Sequence, residues 1–219
     1  TDINIQEKSH FIKDERSTTD YFAAARSHEV NFTYSGGATA GNYQTSVSVT
    51  QMGKVKSGGQ FTGTVIMTLH DIGLNHFTNY ATLFQNKGME PLLQNFTVFH
   101  VDYPCMQTNY NGSSSRQWDR NLVYPSFDEF ANSMIPTILE YFHLRSVIFI
   151  GTGVGSNIAT RFALKNPDYC VGLISFNPIF YAIGWKEWFD YKSFSVSNDK
   201  LREQLMDYLF SSHELANTS

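Results

Sequence analysis

Cysteine is scarce in this sequence: two residues of this type, Cys105 and Cys170, occur among 219. Two cysteines cannot form the dense disulfide framework of small secreted domains, and they fit a reducing compartment. Long apolar runs are also lacking, since no stretch approaches the roughly 18 residues that a membrane-spanning helix needs. Residues 1–20 are polar and lack the apolar segment of a secretory signal. The sequence therefore predicts a cytoplasmic protein without a transmembrane segment.

An excess of positive charge is absent as well, because the formal net charge at pH 7 is -4. Nucleic-acid-binding domains normally present a basic face, so the composition argues against that class of partner. What the chain does contain is apolar material: 42% of its residues are hydrophobic and 16% are charged. Such a composition is typical of a protein with a packed core, and the length suits one domain or most of a larger one.

Two kinds of apolar pattern indicate the fold class. Residues 27–34 and 43–53 alternate apolar and polar side chains, which predicts an antiparallel hairpin at the edge of a sheet. Four continuous apolar segments follow, at 64–69, 96–102, 146–150 and 170–177. Each is predicted to be a buried strand, and helical segments separate them, so we expect an α/β fold with a mostly parallel sheet and helices on both faces. Residues 1–27 are predicted to be a flexible tail, and residues 28–219 to form the domain.

The clearest predicted helix begins at Ser126, which forms a capping box with Glu129. Apolar residues then recur at helical spacing. Pro136 lies inside this helix and is expected to kink it, because proline lacks an N–H group and crowds the preceding turn. Two further helices are predicted over 155–166 and 199–212.

The segment VIFIGTGVGSN, which starts at Val147, predicts a buried strand, a glycine-rich turn and a helix. This is the context of the nucleophile elbow of hydrolases, in which small residues lie two positions before and after a nucleophile. The corresponding residues are Gly151, Thr152, Gly153, Val154 and Gly155. The nucleophile position is Gly153, and a tight turn with positive φ explains a glycine there without any chemistry. No hydrolytic nucleophile is therefore expected at this position.

Motifs for cofactors and metals are not recognisable in the sequence. The turn GTGVGS does not match the G-x-G-x-x-G pattern of dinucleotide-binding folds, and no lysine follows its last glycine as in a P-loop. His70 and His76 enclose a loop that also contains Asp71, but their spacing matches no metal motif. We therefore expect neither a cofactor nor a metal site.

Five segments together resemble one known family. They are LHDIGLNH (69–76), HVDYP (100–104), YPSFDEFANSMIPTILEYFHLRSVIFIGTGVGSN (124–157), RFALKNPDYCVGLISFNP (161–178) and GWKEW (184–188). In this combination the chain resembles the N-myc downstream-regulated (NDRG) family, a non-catalytic branch of the α/β-hydrolase fold. The resemblance covers roughly residues 27–192, which is most of the chain.

The resemblance implies an α/β-hydrolase-like fold without a catalytic triad, and a cytoplasmic role in signalling, differentiation or stress response. By position, Gly153 stands where the hydrolase serine would be, and the N–H groups of Ile72 and Val154 stand where an oxyanion hole would form. Asp71 replaces the glycine that usually follows the histidine at position 70, and it should crowd that hole. The chain ends in what would be the family's cap region, so we expect the sheet to lack its C-terminal strands.

Two other functions stay open at this point. One is a hydrolase with a relocated nucleophile, for which Cys105, Thr152 and Ser156 are the candidates. Asp102 ends a strand near Cys105, and we assign it to capping the following loop. The other function is a carrier of a small molecule or lipid that uses the old substrate pocket.

An interaction surface is predicted in the C-terminal part of the chain. Its candidate residues are Trp185, Trp188, Leu201, Leu205, Tyr208 and Leu209. Apolar side chains that nothing covers tend to bind partners. The predicted partners are proteins of a signalling pathway and not nucleic acid, while peripheral contact with a membrane stays open.

Overall fold

The computed structural model describes residues 25–35, 41–53, 63–104, 106 and 124–178. The predicted interaction surface, the predicted helix over 199–212 and Cys105 lie outside the described residues. Most of the predicted tail also lies outside them, although the first strand already begins at Arg26.

Strands and helices alternate along the described residues. The strands are β1 (Arg26–Tyr34), β2 (Tyr43–Gly53), β3 (Val65–Leu69), β4 (Thr97–Asp102), β5 (Val147–Thr152) and β6 (Cys170–Phe176). The helices are α1 (His76–Phe84), α2 (Glu90–Asn95), α3 and α4 (Val154–Lys165), with a 3₁₀ turn at Lys87–Met89. Helix α3 has three consecutive parts, which are Phe127–Glu129, Phe130–Met134 and Ile135–Tyr141.

The described strands form one sheet in the order β1-β2-β4-β3-β5-β6. Strands β1 and β2 form an antiparallel hairpin, and β2 also runs antiparallel to β4. Strands β4, β3, β5 and β6 are parallel to one another. The mostly parallel sheet is therefore confirmed, and the hairpin lies at its edge as expected. Because the carboxyl ends of parallel strands share one edge of a sheet, the residues that follow β3, β4 and β5 lie close together.

Helices cover both faces of the sheet. On one face, Met67 of β3 belongs to a core cluster with Ile138 of α3 and Phe162 of α4. On the other face, Ile66 packs in a cluster with Tyr80 of α1. Successive side chains of a strand point to opposite faces, so β3 is buried on both sides, as its continuous apolar run predicts.

The prediction of a buried strand at 170–177 is wrong. Strand β6 lies at the edge of the sheet in the described part of the chain, where it pairs with β5 alone. Four of its apolar side chains are 38–58% exposed, and these are Val171, Leu173, Ile174 and Phe176. An apolar sequence indicates that a strand can be buried, but it does not show whether other elements of the fold cover that strand.

Helix α3 begins with the predicted capping box. The Ser126 hydroxyl accepts the N–H of Glu129, and a Glu129 carboxylate oxygen accepts the N–H of Ser126 at 2.7 Å. The perturbation expected at Pro136 takes the form of a π-helical turn directly before it, in which the N–H of Ile135 bonds to the Phe130 carbonyl. Among the residues that the structure describes, no helix combines the length and apolar character that membrane crossing requires.

Candidate functional site

The turn between β5 and α4 depends on three glycines. Gly153 has φ 53° and ψ -113°, a left-handed conformation that favours glycine. A Cβ on Gly151 would lie 2.6 Å from the Cα and N atoms of Ser156. A Cβ on Gly155 would overlap with the carbonyl oxygen of Leu69, at the end of the neighbouring strand β3. The strand therefore turns into the helix in the sharp manner of a nucleophile elbow.

The carboxylate of Asp71 occupies the space of the absent nucleophile. A Cβ on Gly153 would overlap with Cγ, Oδ1 and Oδ2 of Asp71, which follows β3. Asp71 is 4% exposed. A serine at position 153 would therefore meet a buried carboxylate where its hydroxyl belongs.

The same carboxylate takes both N–H groups of the predicted oxyanion hole. Oδ1 of Asp71 accepts the N–H of Ile72 at 2.8 Å and the N–H of Val154 at 2.9 Å. Burial raises the pKa of the Asp71 carboxyl, while these two hydrogen bonds act in the opposite direction. A substrate carbonyl would have to displace a side chain of the protein to reach either donor.

Asp71 is held in place by its backbone as well. Its N–H donates to Oδ1 of Asn79 in helix α1 at 3.0 Å, and its carbonyl lies 2.7 Å from Nδ1 of His70. The Asn79 side chain also donates to Oγ1 of Thr152 at 3.1 Å. The loop after β3, helix α1 and the elbow are therefore connected through Asp71 and Asn79.

Comparison with known protein families confirms the family resemblance predicted from the sequence. The sequence profile described as the Ndr family matches residues 40–218.

The chain belongs to the Ndr family.

Among its relatives, the chain is similar to Protein NDRG2 of Danio rerio, with 33% identity over 165 residues, or 75% of this chain and 43% of that protein. It is 35% identical to Protein NDRG2 of Homo sapiens over 154 residues, or 70% of this chain and 40% of that protein. The chain thus spans about two fifths of the length of these curated relatives.

A solved structure supports the fold. A probable hydrolytic enzyme from Pseudomonas aeruginosa PAO1 is similar with a TM-score of 0.52 and 21% sequence identity, over 84% of this chain and 54% of that one. The α/β-hydrolase-like fold predicted from the sequence is thereby confirmed.

His70 lies fully buried beside the predicted oxyanion hole of this Ndr-family chain. Its Nδ1 donates to the Asp71 carbonyl, so its Nε2 is the nitrogen that accepts the N–H of Tyr103 at 3.3 Å. Burial lowers the pKa of the imidazole, although Asp102, with a carboxylate oxygen 3.7 Å from Nε2, opposes this effect. A neutral imidazole with both nitrogens engaged stabilises the loop and has no nitrogen left for a substrate proton.

The other candidate nucleophiles on the described residues are also engaged. Oγ1 of Thr152 lies 3.0 Å from the hydroxyl of Tyr80. Ser156 is fully buried, and its hydroxyl donates to the carbonyl of Phe176 at 3.3 Å. Within the described segments, neither hydroxyl has an imidazole as a hydrogen-bond partner, which a serine-type nucleophile needs for activation. Cys105 lies outside the described residues.

The assignment of Asp102 to capping the loop that follows it is wrong. Its carboxylate accepts the N–H of His76 at 2.7 Å and lies 2.6 Å from Nδ1 of the same residue. His76 is the first residue of α1, so Asp102 anchors the beginning of that helix across the sheet edge. Sequence reasoning missed this pair because the two residues are separated by 26 positions.

The described residues contain no group of three or more metal-ligating side chains. A cavity of about 470 Å³ lies between α3 and α4, and its lining includes Leu144, Phe162 and Tyr169. Leu144 precedes β5, Tyr169 precedes β6, and Phe162 lies in the C-terminal half of α4. The cavity is therefore near the amino ends of the parallel strands, whereas Asp71 lies near their carboxyl ends.

Replacing Asp102 with alanine is expected to lower the free energy of unfolding by about 3 kcal/mol, because the N–H and ring of His76 lose a buried acceptor. Urea denaturation followed by circular dichroism measures this change. Asp128→Ala is the matched control, since the half-exposed ion pair of Asp128 with Arg161 should contribute less than about 1 kcal/mol. Equal effects of the two substitutions would contradict the anchoring role of Asp102.

A second histidine is buried in strand β4. Nδ1 of His100 lies 2.7 Å from Oγ1 of Thr68, and its Nε2 has no hydrogen-bond partner in the described part of the chain. Burial lowers the pKa of His100 well below the usual 6.5, and that of His70 is lowered as well. Both imidazoles are therefore neutral in the folded protein near neutral pH.

Stability is expected to fall as the pH drops below about 6.5, because the unfolded chain then binds protons that folded His70 and His100 do not. The slope is at most about 1.4 kcal/mol per pH unit for each imidazole. Asp71 contributes with the opposite sign: the cost of its buried charge disappears as the pH falls through its raised pKa. Urea midpoints at about pH 7.5 and about pH 5.5 test the expected loss.

The control for this pH dependence is His100→Asn, which removes one titrating group from the core. The variant should lose less stability between the two pH values than the native chain does. An equal or steeper loss in the variant would show that His100 does not contribute to the pH dependence.

Proposed function

We propose that this Ndr-family chain belongs to a non-enzymatic protein with an α/β-hydrolase fold, acting in cytoplasmic signalling, differentiation or stress response through protein interactions. The observation that supports the proposal most is the position of Asp71. Its carboxylate fills the nucleophile space above Gly153 and holds both donors of the oxyanion hole.

Ester hydrolysis needs a nucleophile, a base within hydrogen-bond reach and donors for the oxyanion. Gly153 supplies no nucleophile. The donors at Ile72 and Val154 already bind Asp71. His70 uses one ring nitrogen toward the Asp71 carbonyl and the other toward Tyr103. In the part of the chain that the structure describes, the nucleophile is missing at Gly153, and the two donors and His70 are engaged in other contacts, which supports the proposal.

The two alternative functions receive less support from the described residues. Thr152 and Ser156 have hydrogen-bond partners other than an imidazole, which disfavours a relocated serine-type mechanism. A carrier would use the space beside the elbow, and the Asp71 carboxylate fills the part of it next to Gly153.

The proposed partners are proteins, and the proposed interaction surface is the set of apolar residues at 185–209 predicted from the sequence. The formal net charge of -4 gives no reason to add nucleic acid to the partners. Peripheral membrane contact stays a prediction.

The test is hydrolysis of p-nitrophenyl acetate by the folded native chain, compared with Cys105→Ala, Thr152→Val and Ser156→Ala. We expect the native chain and all three variants to show the same rate, at the level of general surface catalysis. Turnover in the native chain that one substitution abolishes would refute the proposal and identify the nucleophile.

A further inference from the structure

The two oxygens of the Asp71 carboxylate differ in their contacts. Oδ1 accepts two N–H groups, whereas Oδ2 has no hydrogen-bond partner among the described residues. The buried side-chain polar atoms without partners in that part of the chain are Nε2 of His28, Nε2 of Gln51 and Nε2 of His100. Oδ2 is not among them, and it overlaps with the space that a Cβ on Gly153 would take, which is the position of the missing nucleophile.

We propose that Asp71 is itself a nucleophile, one that reacts through Oδ2 with small alkylating electrophiles such as epoxides. This inference goes beyond the proposed function, which is a non-enzymatic role through protein interactions, because it concerns a covalent adduct that forms about once per chain and not a turnover activity. A carboxylate is a known type of enzymatic nucleophile, and here it lies where the elbow would present one.

The proposed reaction forms a covalent ester. Oδ2 attacks a ring carbon of the epoxide, the bond between that carbon and the ring oxygen breaks, and the resulting alkoxide takes a proton from water. The product is a hydroxyalkyl ester on Asp71. No oxidant or metal is needed, since the strained ring supplies the driving force.

The oxyanion hole fits the second half of such a reaction. Water adds to Cγ of the ester, and the negative charge that develops on Oδ1 faces the N–H groups of Ile72 and Val154. Collapse of this intermediate releases a diol and restores the carboxylate. The N–H groups of Ile72 and Val154, which Asp71 keeps from a substrate carbonyl, are therefore placed to stabilise the carbonyl of an ester formed on Asp71 itself.

Release is expected to be slow, so the ester accumulates. Water needs a base at this step, and among the described residues the imidazole nearest to Asp71 is that of His70, whose two nitrogens are engaged. His76 holds its Nδ1 against Asp102. We therefore expect about one stable adduct per chain and not rapid turnover.

The surroundings of Asp71 favour reaction there over other carboxylates. The first turn of α4 contains no acidic residue, so no second carboxylate competes for the N–H of Val154. The Asp102 carboxylate lies 3.7 Å from Nε2 of His70 and accepts the N–H of His76, so it is engaged in contacts of its own. Burial raises the pKa of Asp71, which makes the ionised form more basic and hence a better nucleophile.

The experiment uses glycidol as the probe on the full folded chain at neutral pH, with the adducts located by peptide mass spectrometry. The chain has 20 acidic residues, and the 19 other than Asp71 serve as internal references. We expect Asp71 to be labelled about tenfold faster than exposed Asp128, since its carboxylate is positioned and partly desolvated. Denaturation in urea should remove the preference, because it depends on the fold.

Two further measurements separate the possible causes of labelling. Asp71→Asn, which keeps the shape of the side chain, should lose this adduct, whereas Asp128→Asn should retain it. When the adduct is left in water enriched in oxygen-18, attack at Cγ should place the heavy isotope in the Asp71 carboxylate. Labelling of Asp71 no faster than that of Asp128 in the folded chain would overturn the proposal. That outcome would leave the proposed function unaffected, because the proposed function is tested separately by the rate of p-nitrophenyl acetate hydrolysis.

Discussion

Gly155→Ala is expected to lower the free energy of unfolding by about 4 kcal/mol or more, which is a large part of the stability of an ordinary domain. The added methyl group would overlap with the carbonyl oxygen of Leu69 and lie 2.8 Å from the carbonyl oxygen of His70. Both atoms belong to the backbone at the end of β3. A flexible side chain could move aside, but these carbonyls can move only if α4 and β3 separate.

Such a separation would disturb more than one contact. The N–H of Val154 and the carboxylate of Asp71 form a hydrogen bond across this helix–strand contact. Ile158 of α4, which is fully buried in the main core cluster, would also be displaced from the sheet. We therefore expect loss of cooperative unfolding as well as a lower midpoint in urea, measured by circular dichroism and tryptophan fluorescence.

Gly63→Ala is the matched control, because a Cβ there would meet no atom within 4 Å and its φ is not positive. Its effect should stay within about 0.5 kcal/mol, and alanine can even stabilise by restricting the unfolded chain. If Gly155→Ala were as stable as this control, the close approach of α4 to β3 would be wrong.

The backbone of the site could be predicted from the sequence because local residues determine it. The apolar run before Gly151 and the helical pattern after Gly155 place a turn between them, and glycine is the residue that such a turn requires. The capping box at Ser126 is local in the same way, since both partners lie within one helical turn. These signals are local in the sequence, whereas the close contacts that exclude a Cβ at Gly153 and Gly155 are made with residues at the end of β3.

The contacts that define the chemistry could not be predicted in the same way. Oδ1 of Asp71 reaches the N–H of Val154 across 83 positions, and Asp102 reaches His76 across 26. The replacement of a glycine by Asp71 suggests crowding, but the direction of its carboxylate depends on where α4 begins. The exposure of β6 likewise depends on the order of strands and not on the composition of CVGLISF.

Gly153→Ser is expected to lower the free energy of unfolding by about 3 kcal/mol. The new side chain overlaps with the Asp71 carboxylate, and a serine at this position has to adopt a φ near 53°. The part due to the backbone can be measured separately. Gly73 is an exposed turn glycine with φ 71°, so Gly73→Ser serves as the reference for a serine at a positive φ, with an expected cost of about 1–2 kcal/mol. A larger loss for Gly153→Ser than for Gly73→Ser is the result expected from the overlap with Asp71.

Combining Gly153→Ser with Asp71→Ala tests that overlap directly. Asp71→Ala alone should cost about 2 kcal/mol, since the buried N–H groups of Ile72 and Val154 lose their acceptor. In the double variant the serine no longer meets a carboxylate, and its hydroxyl lies near the vacated donors. The double variant should therefore lose about 2 kcal/mol less unfolding free energy than the sum of the losses of the two single variants. Urea denaturation of all four proteins measures this difference. Additivity within about 0.5 kcal/mol would mean that Asp71 does not occupy the nucleophile position.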